Sequence, residues 1–167
     1  MSRVLSRELS GKVDDYLDNQ ERQQAFAELG RSLYQVFGIE RSGRKRLISA
    51  QLRNLQQVVM SAERFSDIEI FIKSQMGKGN VTADKWMQVG QTALDQLGAL
   101  REQGLPAVAA APSDEGTARK ICLALARGWV GAVAGEYLYA KACEELPVGQ
   151  QTTGPAQRET TRNRTAR

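Results

Sequence analysis

The sequence predicts an all-α protein: a single compact bundle of about five helices followed by a polar tail. Apolar residues recur at intervals of three and four along most of the chain, as in helices that bury one face. No segment shows the period-two alternation of a half-buried strand. The 167 residues suffice for one domain with a substantial core. We therefore predict a helical bundle over residues 1–146 and a disordered, Arg-rich tail over residues 147–167.

Apolar stripes in the first half of the chain predict three helices. One stripe spans about residues 26–37, and Gly38 has the residue type that ends helices. A loop over residues 41–44 precedes a second stripe, which spans about residues 48–65. Residues 66–69 have the form of a capping box, so they begin a third helix or mark a kink.

The second half predicts two helices on either side of a proline-containing loop. Thr82 has a residue type preferred at an N-cap and begins the fourth helix, which ends near Gly104. The two prolines within residues 105–116 bracket too few residues for a stable helix, so we expect a loop there. The last helix spans about residues 117–145 and stops before Pro147.

Missing residue types exclude several kinds of site. The chain has no His, which excludes Ser-His-Asp and Cys-His catalysis and His-ligated zinc. Its 2 Cys are too few for a four-cysteine zinc site. Cys122 and Cys143 lie on one predicted helix about 30 Å apart, so we expect buried free thiols in a reducing cytoplasm. Because no nucleophile–base pair is evident, we expect a non-enzymatic protein that needs no cofactor or metal.

The most apolar stretch covers residues 121–142. Arg127 and Glu136 interrupt it, and each charge is costly at the centre of a bilayer. The first residues of the sequence show no apolar region of the secretory type. We therefore expect a cytoplasmic protein without a membrane-spanning helix.

Positive charge is concentrated in one internal segment. Residues 31–53 carry six basic residues and one acidic residue, a net charge of +5, whereas the whole chain carries +4. Arg44, Lys45 and Arg46 lie at the entry to the second predicted helix. Arg53 lies two turns after Arg46 on the same face. This arrangement suits the phosphates of a nucleic acid, with a solvated helix start as the alternative interpretation.

Two further groups of basic residues follow. Lys73, Lys78 and Lys85 surround a loop at residues 77–80 that lacks the Walker A pattern. Flexible backbone amides beside Lys78 can approach a phosphate, although a plain turn between helices is the simpler interpretation. Residues 147–167 carry a net charge of +3, which either adds non-specific affinity for nucleic acid or solubilises the terminus.

The last predicted helix has a face of small residues. This face consists of Ala124, Gly128, Gly131, Ala132 and Gly135. Each Gly costs about 0.8–1 kcal/mol in a helix relative to Ala, so close packing is expected to compensate. The partner in that packing is either the rest of the bundle or a second protomer, and the sequence leaves both open.

Residues 48–55, Ile-Ser-Ala-Gln-Leu-Arg-Asn-Leu, resemble the short Ser-x-Gln-aliphatic-Arg element in the small helical subunit of type III CRISPR–Cas effector complexes. Residues 71–78 are similar in placement to a Lys-containing helix of that family. The resemblance covers roughly residues 44–80, and the size and helical content agree with it.

The resemblance implies a function and partners. In that family, stacked copies of the small subunit form the inner filament of the complex, and their basic residues line the groove that holds the crRNA–target RNA duplex. The subunit has no catalytic activity of its own. The candidate nucleic-acid-binding residues are Arg44, Lys45, Arg46, Arg53, Lys73 and Lys78. The first three follow from charge alone, and the last three are implied by the resemblance.

Two alternatives belong to other functional classes. The first is a helical protein-interaction adaptor that self-associates through the Gly/Ala face of the last helix. The second is a small DNA-binding regulator, which is less favoured because the sequence shows no helix-turn-helix with a clear recognition helix.

Overall fold

The computed structural model describes residues 5–38, 50–112 and 114–145. The helices are α1 (Arg7–Leu17), α2 (Gln20–Leu33), α3 (Ala50–Ser61), α4 (Phe65–Met76), α5 (Val81–Ala99), α6 (Leu105–Val108) and α7 (Glu115–Glu145). The helices α2 and α5 each continue into a five-residue π-helical turn, Tyr34–Gly38 and Leu100–Gly104. These ranges contain no strand, which confirms the prediction of an all-α protein. The tail predicted over residues 147–167 lies outside the described residues.

The structure has six helices of 11 residues or more, rather than the predicted five, and α6 is a single turn. The additional helix is α1. It buries only Val13 and Leu17, so its apolar stripe is too short to stand out in the sequence. The side chain of Ser6 caps it by accepting a hydrogen bond from the Leu9 N–H at 3.3 Å.

Two predicted helix starts are wrong by one or two residues. The N-cap of α5 is Asn80, whose Oδ1 accepts from the Ala83 N–H at 2.9 Å, rather than Thr82. Asn, like Thr, is a residue type preferred at an N-cap. At the start of α4, the Arg64 N–H donates to Asp67 Oδ2 at 3.0 Å, so the helix begins at Phe65.

The expected loop over residues 105–116 contains the single turn α6. Pro106 occupies the first turn of this helix, where a backbone N–H is not needed for an intrahelical hydrogen bond. The backbone becomes extended at Ala109, as expected for a loop.

The last helix, α7, is the centre of the bundle. It packs against α1, α2, α3 and α4. Its fully buried large side chains are Ile121, Leu125, Trp129 and Tyr137. The Trp129 indole donates to Gln96 Oε1 at 2.8 Å, and the Gln96 amide donates to the Ala25 carbonyl at 2.9 Å. This chain of hydrogen bonds joins α7, α5 and α2.

The helices α2 and α7 run side by side in the same direction. Their closest approach is at Gly30, where a Cβ would lie 2.6 Å from the Val133 carbonyl oxygen. Further along, the Tyr34 hydroxyl donates to Glu144 Oε2 at 2.5 Å. The C-terminal ends of α2 and α7 therefore lie at the same end of the bundle.

Among the described residues, α7 is the one helix that is long and apolar enough to cross a membrane by length and composition. The most apolar 18-residue window within Glu115–Glu144 has a mean hydropathy of 1.3, and 56% of that window is buried in the bundle. A core helix passes the same test, and the buried side chains of α7 form the core described above.

Both cysteines lie in α7 as free thiols, as predicted. Cys122 is buried, and this burial raises the pKa of its thiol. Cys143 is half-buried one turn from Tyr139.

Two Gly→Ala substitutions are expected to change stability in opposite directions. Gly30→Ala places a Cβ 2.6 Å from a backbone oxygen of α7, so we expect it to lower the free energy of unfolding by about 1–3 kcal/mol. Gly131→Ala meets no atom within 4 Å and is expected to raise it by about 0.5–1 kcal/mol. Urea denaturation of the two variants tests both signs, and equal midpoints would contradict the close packing of α2 on α7.

Candidate nucleic-acid interface

Trp86, in the first turns of α5, contacts side chains from three other segments of the bundle. Its side chain is 0% exposed. The indole N–H donates to Gln51 Oε1, in the first turn of α3, at 3.2 Å. The Trp86 ring centroid lies 5.4 Å from that of Phe37, in the π-helical turn after α2, and 6.2 Å from that of Phe71 in α4. The end of α2, the start of α3, the C-terminal half of α4 and the start of α5 therefore meet at one end of the bundle.

Four basic residues lie at this end, which we call the basic end: Arg53, Lys73, Lys78 and Lys85. Arg53, Lys73 and Lys85 are each within two residues of a side chain in the Trp86 cluster. Lys78 follows in the connection between α4 and α5. Three of the six predicted site residues lie within the described ranges, namely Arg53, Lys73 and Lys78. All three are brought to this end, and all three are exposed.

Arg53 and Lys73 have no carboxylate partner within the described ranges. The ion pairs found there use other basic residues, namely Lys12, Arg31, Arg101 and Arg119. An exposed cation without an intramolecular counter-ion contributes little to folding and remains available to an external anion.

The other two cations have contacts that leave their charge in place. Lys78 Nζ donates to Gln75 Oε1 at 3.0 Å, and Lys85 Nζ lies 5.9 Å from the centroid of the Phe37 ring. Neither an amide nor an aromatic ring neutralises an ammonium group. Asp84, exposed in the first turn of α5, and Glu144, near the end of α7, each offset one of the four positive charges, so the basic end keeps a net positive charge.

Arg44, Lys45 and Arg46 lie within residues 39–49, outside the described residues. The chain leaves the described structure after Gly38 and returns at Ala50. The neighbouring residues Phe37 and Gln51 both contact Trp86. The basic segment is therefore joined to the bundle at the basic end, whatever its own conformation.

The sequence places Lys85 beside the loop at residues 77–80 but does not indicate that it is one of the binding residues. It precedes Trp86, which the sequence shows only as one apolar residue in a helical stripe. The partner of that indole, Gln51, is 35 residues away in sequence. Nothing in the spacing of residues indicates a contact of this kind.

A group of exposed carboxylates lies away from the basic end. Asp14, Asp15 and Asp18 are exposed on α1 or directly after it. The helix α1 packs on α7 near Gly128, where the Leu17 side chain fills the space that a Cβ would need. Gly128 is about 24 Å along α7 from Glu144, which lies near the basic end. At this distance, which exceeds the screening length of about 8–10 Å at physiological salt, these carboxylates offset little of the charge of the basic end.

The described ranges hold no group of three or more acidic or Cys residues that could bind a metal ion. The chain matches no protein-family model, no curated protein and no solved structure. The functional interpretation therefore rests on the charge and geometry of the basic end. The resemblance to the small CRISPR subunit stays a prediction.

Neutralising the unpaired cations is expected to leave stability unchanged. We expect Arg53→Gln and Lys73→Gln to alter the free energy of unfolding by less than about 0.5 kcal/mol, since neither side chain has an ion pair to lose. The matched control is Arg101→Gln, which removes a 3.2 Å ion pair with Glu69 and a contact over the Phe65 ring. We expect that control to cost up to about 1 kcal/mol, because the pair is partly solvent-screened. A larger loss in Arg53→Gln than in Arg101→Gln, measured by urea denaturation, would show that Arg53 is structural.

Proposed function

We propose that the protein binds the sugar-phosphate backbone of RNA through the basic end, without catalysis, as one subunit of a larger ribonucleoprotein. The observation that carries the proposal is the gathering of four basic side chains from three helices and a connection around the Trp86 cluster. Two of the four, Arg53 and Lys73, have no carboxylate partner in the described part of the chain.

The chemistry of this end favours phosphate over base recognition. Lys side chains supply point charges and Arg a guanidinium fork, and both suit phosphate oxygens. Proteins that recognise unpaired bases present exposed aromatic rings for stacking. Here Trp86 and Phe37 are buried, so these rings support the fold instead. We therefore expect binding that depends strongly on salt and weakly on sequence.

The resemblance of residues 44–80 favours RNA as the polyanion, and in particular the crRNA–target RNA duplex of a type III effector complex in the cytoplasm. The partners would then be the other subunits of that complex and stacked copies of this chain. Arg44, Lys45 and Arg46 lie outside the described residues, and they join the proposal from the charge of the sequence alone. No residue of the proposed interface takes part in a reaction.

Reversing two charges tests the proposal. In the Arg53→Glu, Lys73→Glu double variant, we expect binding to a mixed-sequence RNA duplex to weaken, because two phosphate contacts become repulsions. The slope of log affinity against log salt should fall in magnitude by about two. Fluorescence anisotropy between about 50 and 200 mM salt measures both quantities.

The control carries the same change of charge away from the basic end. The Lys12→Glu, Arg119→Glu double variant reverses cations on α1 and at the start of α7. We expect this control to keep the salt slope of the wild type. If the Arg53, Lys73 variant and the control bind RNA equally well, the basic end does not bind RNA.

A second candidate function, self-association through the small-residue face of α7, is favoured by the surroundings of its glycines. Gly128 lies against Leu17, but Gly131 and Gly135 have no atom within 4 Å of a Cβ position. Two helix-weakening residues therefore remain without compensation inside the protomer. In the following turn, Leu138 is 41% exposed and Tyr139 is 65% exposed. This strip suits a close-packed contact with a second copy.

Adding side chains to the strip tests the second candidate. We expect Gly131→Gln with Gly135→Gln to leave the protomer folded, since both positions are open, and to weaken self-association by blocking close approach. Sedimentation velocity on RNA-free protein measures the association. If the wild type is a monomer at all concentrations, or if the variant associates equally well, the adaptor function is excluded.

A further inference from the structure

We propose that Trp86 is the positioning residue of the basic end and that it holds Lys85, the cation that the sequence did not single out, in place to contact phosphate. This inference rests on the proposed function and adds how the site is held in place. Trp86 is the neighbour of Lys85 in the chain, and its contacts reach the segments that carry Arg53 and Lys73. One buried side chain therefore sets the relative positions of three cations.

The hydrogen bond to Gln51 connects Trp86 to the helical turn that carries Arg53. The described part of α3 begins at Ala50, and Gln51 and Arg53 both lie in its first turn. The bond from Trp86 Nε1 to Gln51 Oε1, at 3.2 Å, fastens that first turn to α5, and Arg53 belongs to the same turn.

The ring of Trp86 acts on the other two cations. It meets the Phe71 ring edge-on at 6.2 Å, which fixes the C-terminal half of α4 and with it Lys73. It also packs on Phe37, over whose ring Lys85 Nζ lies at 5.9 Å. The ammonium group of Lys85 is thereby held at the surface in a defined place, with its charge intact.

The second tryptophan provides a matched comparison. Trp129 is also 0% exposed and also donates its indole N–H to a glutamine side chain, Gln96, at 2.8 Å. That hydrogen bond lies within the bundle, where it joins α7 to α5, and no residue of the basic end is next to it in sequence. Removing either indole N–H costs a similar buried hydrogen bond, but only Trp86 is connected to the cations.

The experiment measures RNA affinity of the full chain with Trp86→Phe, Gln51→Leu, Lys85→Gln and the control Trp129→Phe, using the mixed-sequence RNA duplex. We expect Trp86→Phe and Gln51→Leu to weaken RNA binding by roughly three- to ten-fold. For comparison, mutating a residue that orients a metal ligand typically weakens metal binding by about 10- to 100-fold. Trp129→Phe should change the affinity by less than about two-fold at the same temperature. Lys85→Gln should weaken binding and lower the salt slope by about one.

A double-mutant cycle separates positioning from general destabilisation. If Gln51 acts through the first turn of α3, Arg53→Gln should cost less affinity in the Gln51→Leu background than in the wild type. Additive effects would overturn the positioning role, as would wild-type affinity in both Trp86→Phe and Gln51→Leu. Gln51→Leu keeps the test valid if Trp86→Phe does not fold, because Gln51 is only half-buried.

The outcomes distinguish this inference from the proposed function. If the Arg53→Glu, Lys73→Glu variant loses affinity while Trp86→Phe, Gln51→Leu and Lys85→Gln do not, RNA binding stands and the inference is wrong. If the charge-reversal variant itself binds as the wild type does, the proposed function is wrong and the inference falls with it.

Discussion

The burial of α7 is the constraint on which the rest of the structure depends. The helix contacts α1, α2, α3 and α4, so their directions are set by a common partner. Each large apolar side chain buried on it contributes about 1.5–3 kcal/mol. A domain of this size is stable by about 5–15 kcal/mol in total, so a few of these side chains decide whether the bundle forms. Because α2 is held parallel to α7 at Gly30, its end is carried to the end of α7.

The position of the C-terminal end of α2 brings together the residues around the basic end. The C-terminal end of α2 brings Phe37 to Trp86, and Trp86 in turn contacts α3 and α4. Trp86 and Phe37 are buried and supply stability, whereas Arg53, Lys73 and Lys78 are exposed and form few internal contacts. Stability and the proposed binding therefore depend on different side chains of the same helix ends. This separation is why substitutions at Arg53 can report on binding without unfolding the protein.

Most of the fold could be predicted from the sequence, because long helices with regular apolar stripes are recognisable by the spacing of their apolar residues. The helix α7 has such a stripe over 31 residues, and α5 has one over 19. The shorter α1 could not be found in this way, since two buried residues do not make a period. The candidate cations Arg53, Lys73 and Lys78 were recognisable by charge and resemblance. Their meeting place was not, because it depends on a hydrogen bond between residues 35 positions apart.

The number of cations at the basic end limits how tightly one copy of such a protein would bind RNA. Four phosphate contacts give a salt slope of at most about 3.6, which corresponds to weak binding at physiological salt. The exposed strip of α7 runs from Gly131 to Tyr139, towards the end of the helix where Glu144 meets Tyr34. Copies that associate along this strip in the same orientation would bring their basic ends to one side of the assembly. Such a contact joins two copies, and an RNA that reaches both basic ends would bind them at once, so the effective concentration of the second basic end would add to the affinity of the first. On the proposed function, self-association along the exposed strip of α7 would therefore strengthen the weak binding of a single basic end.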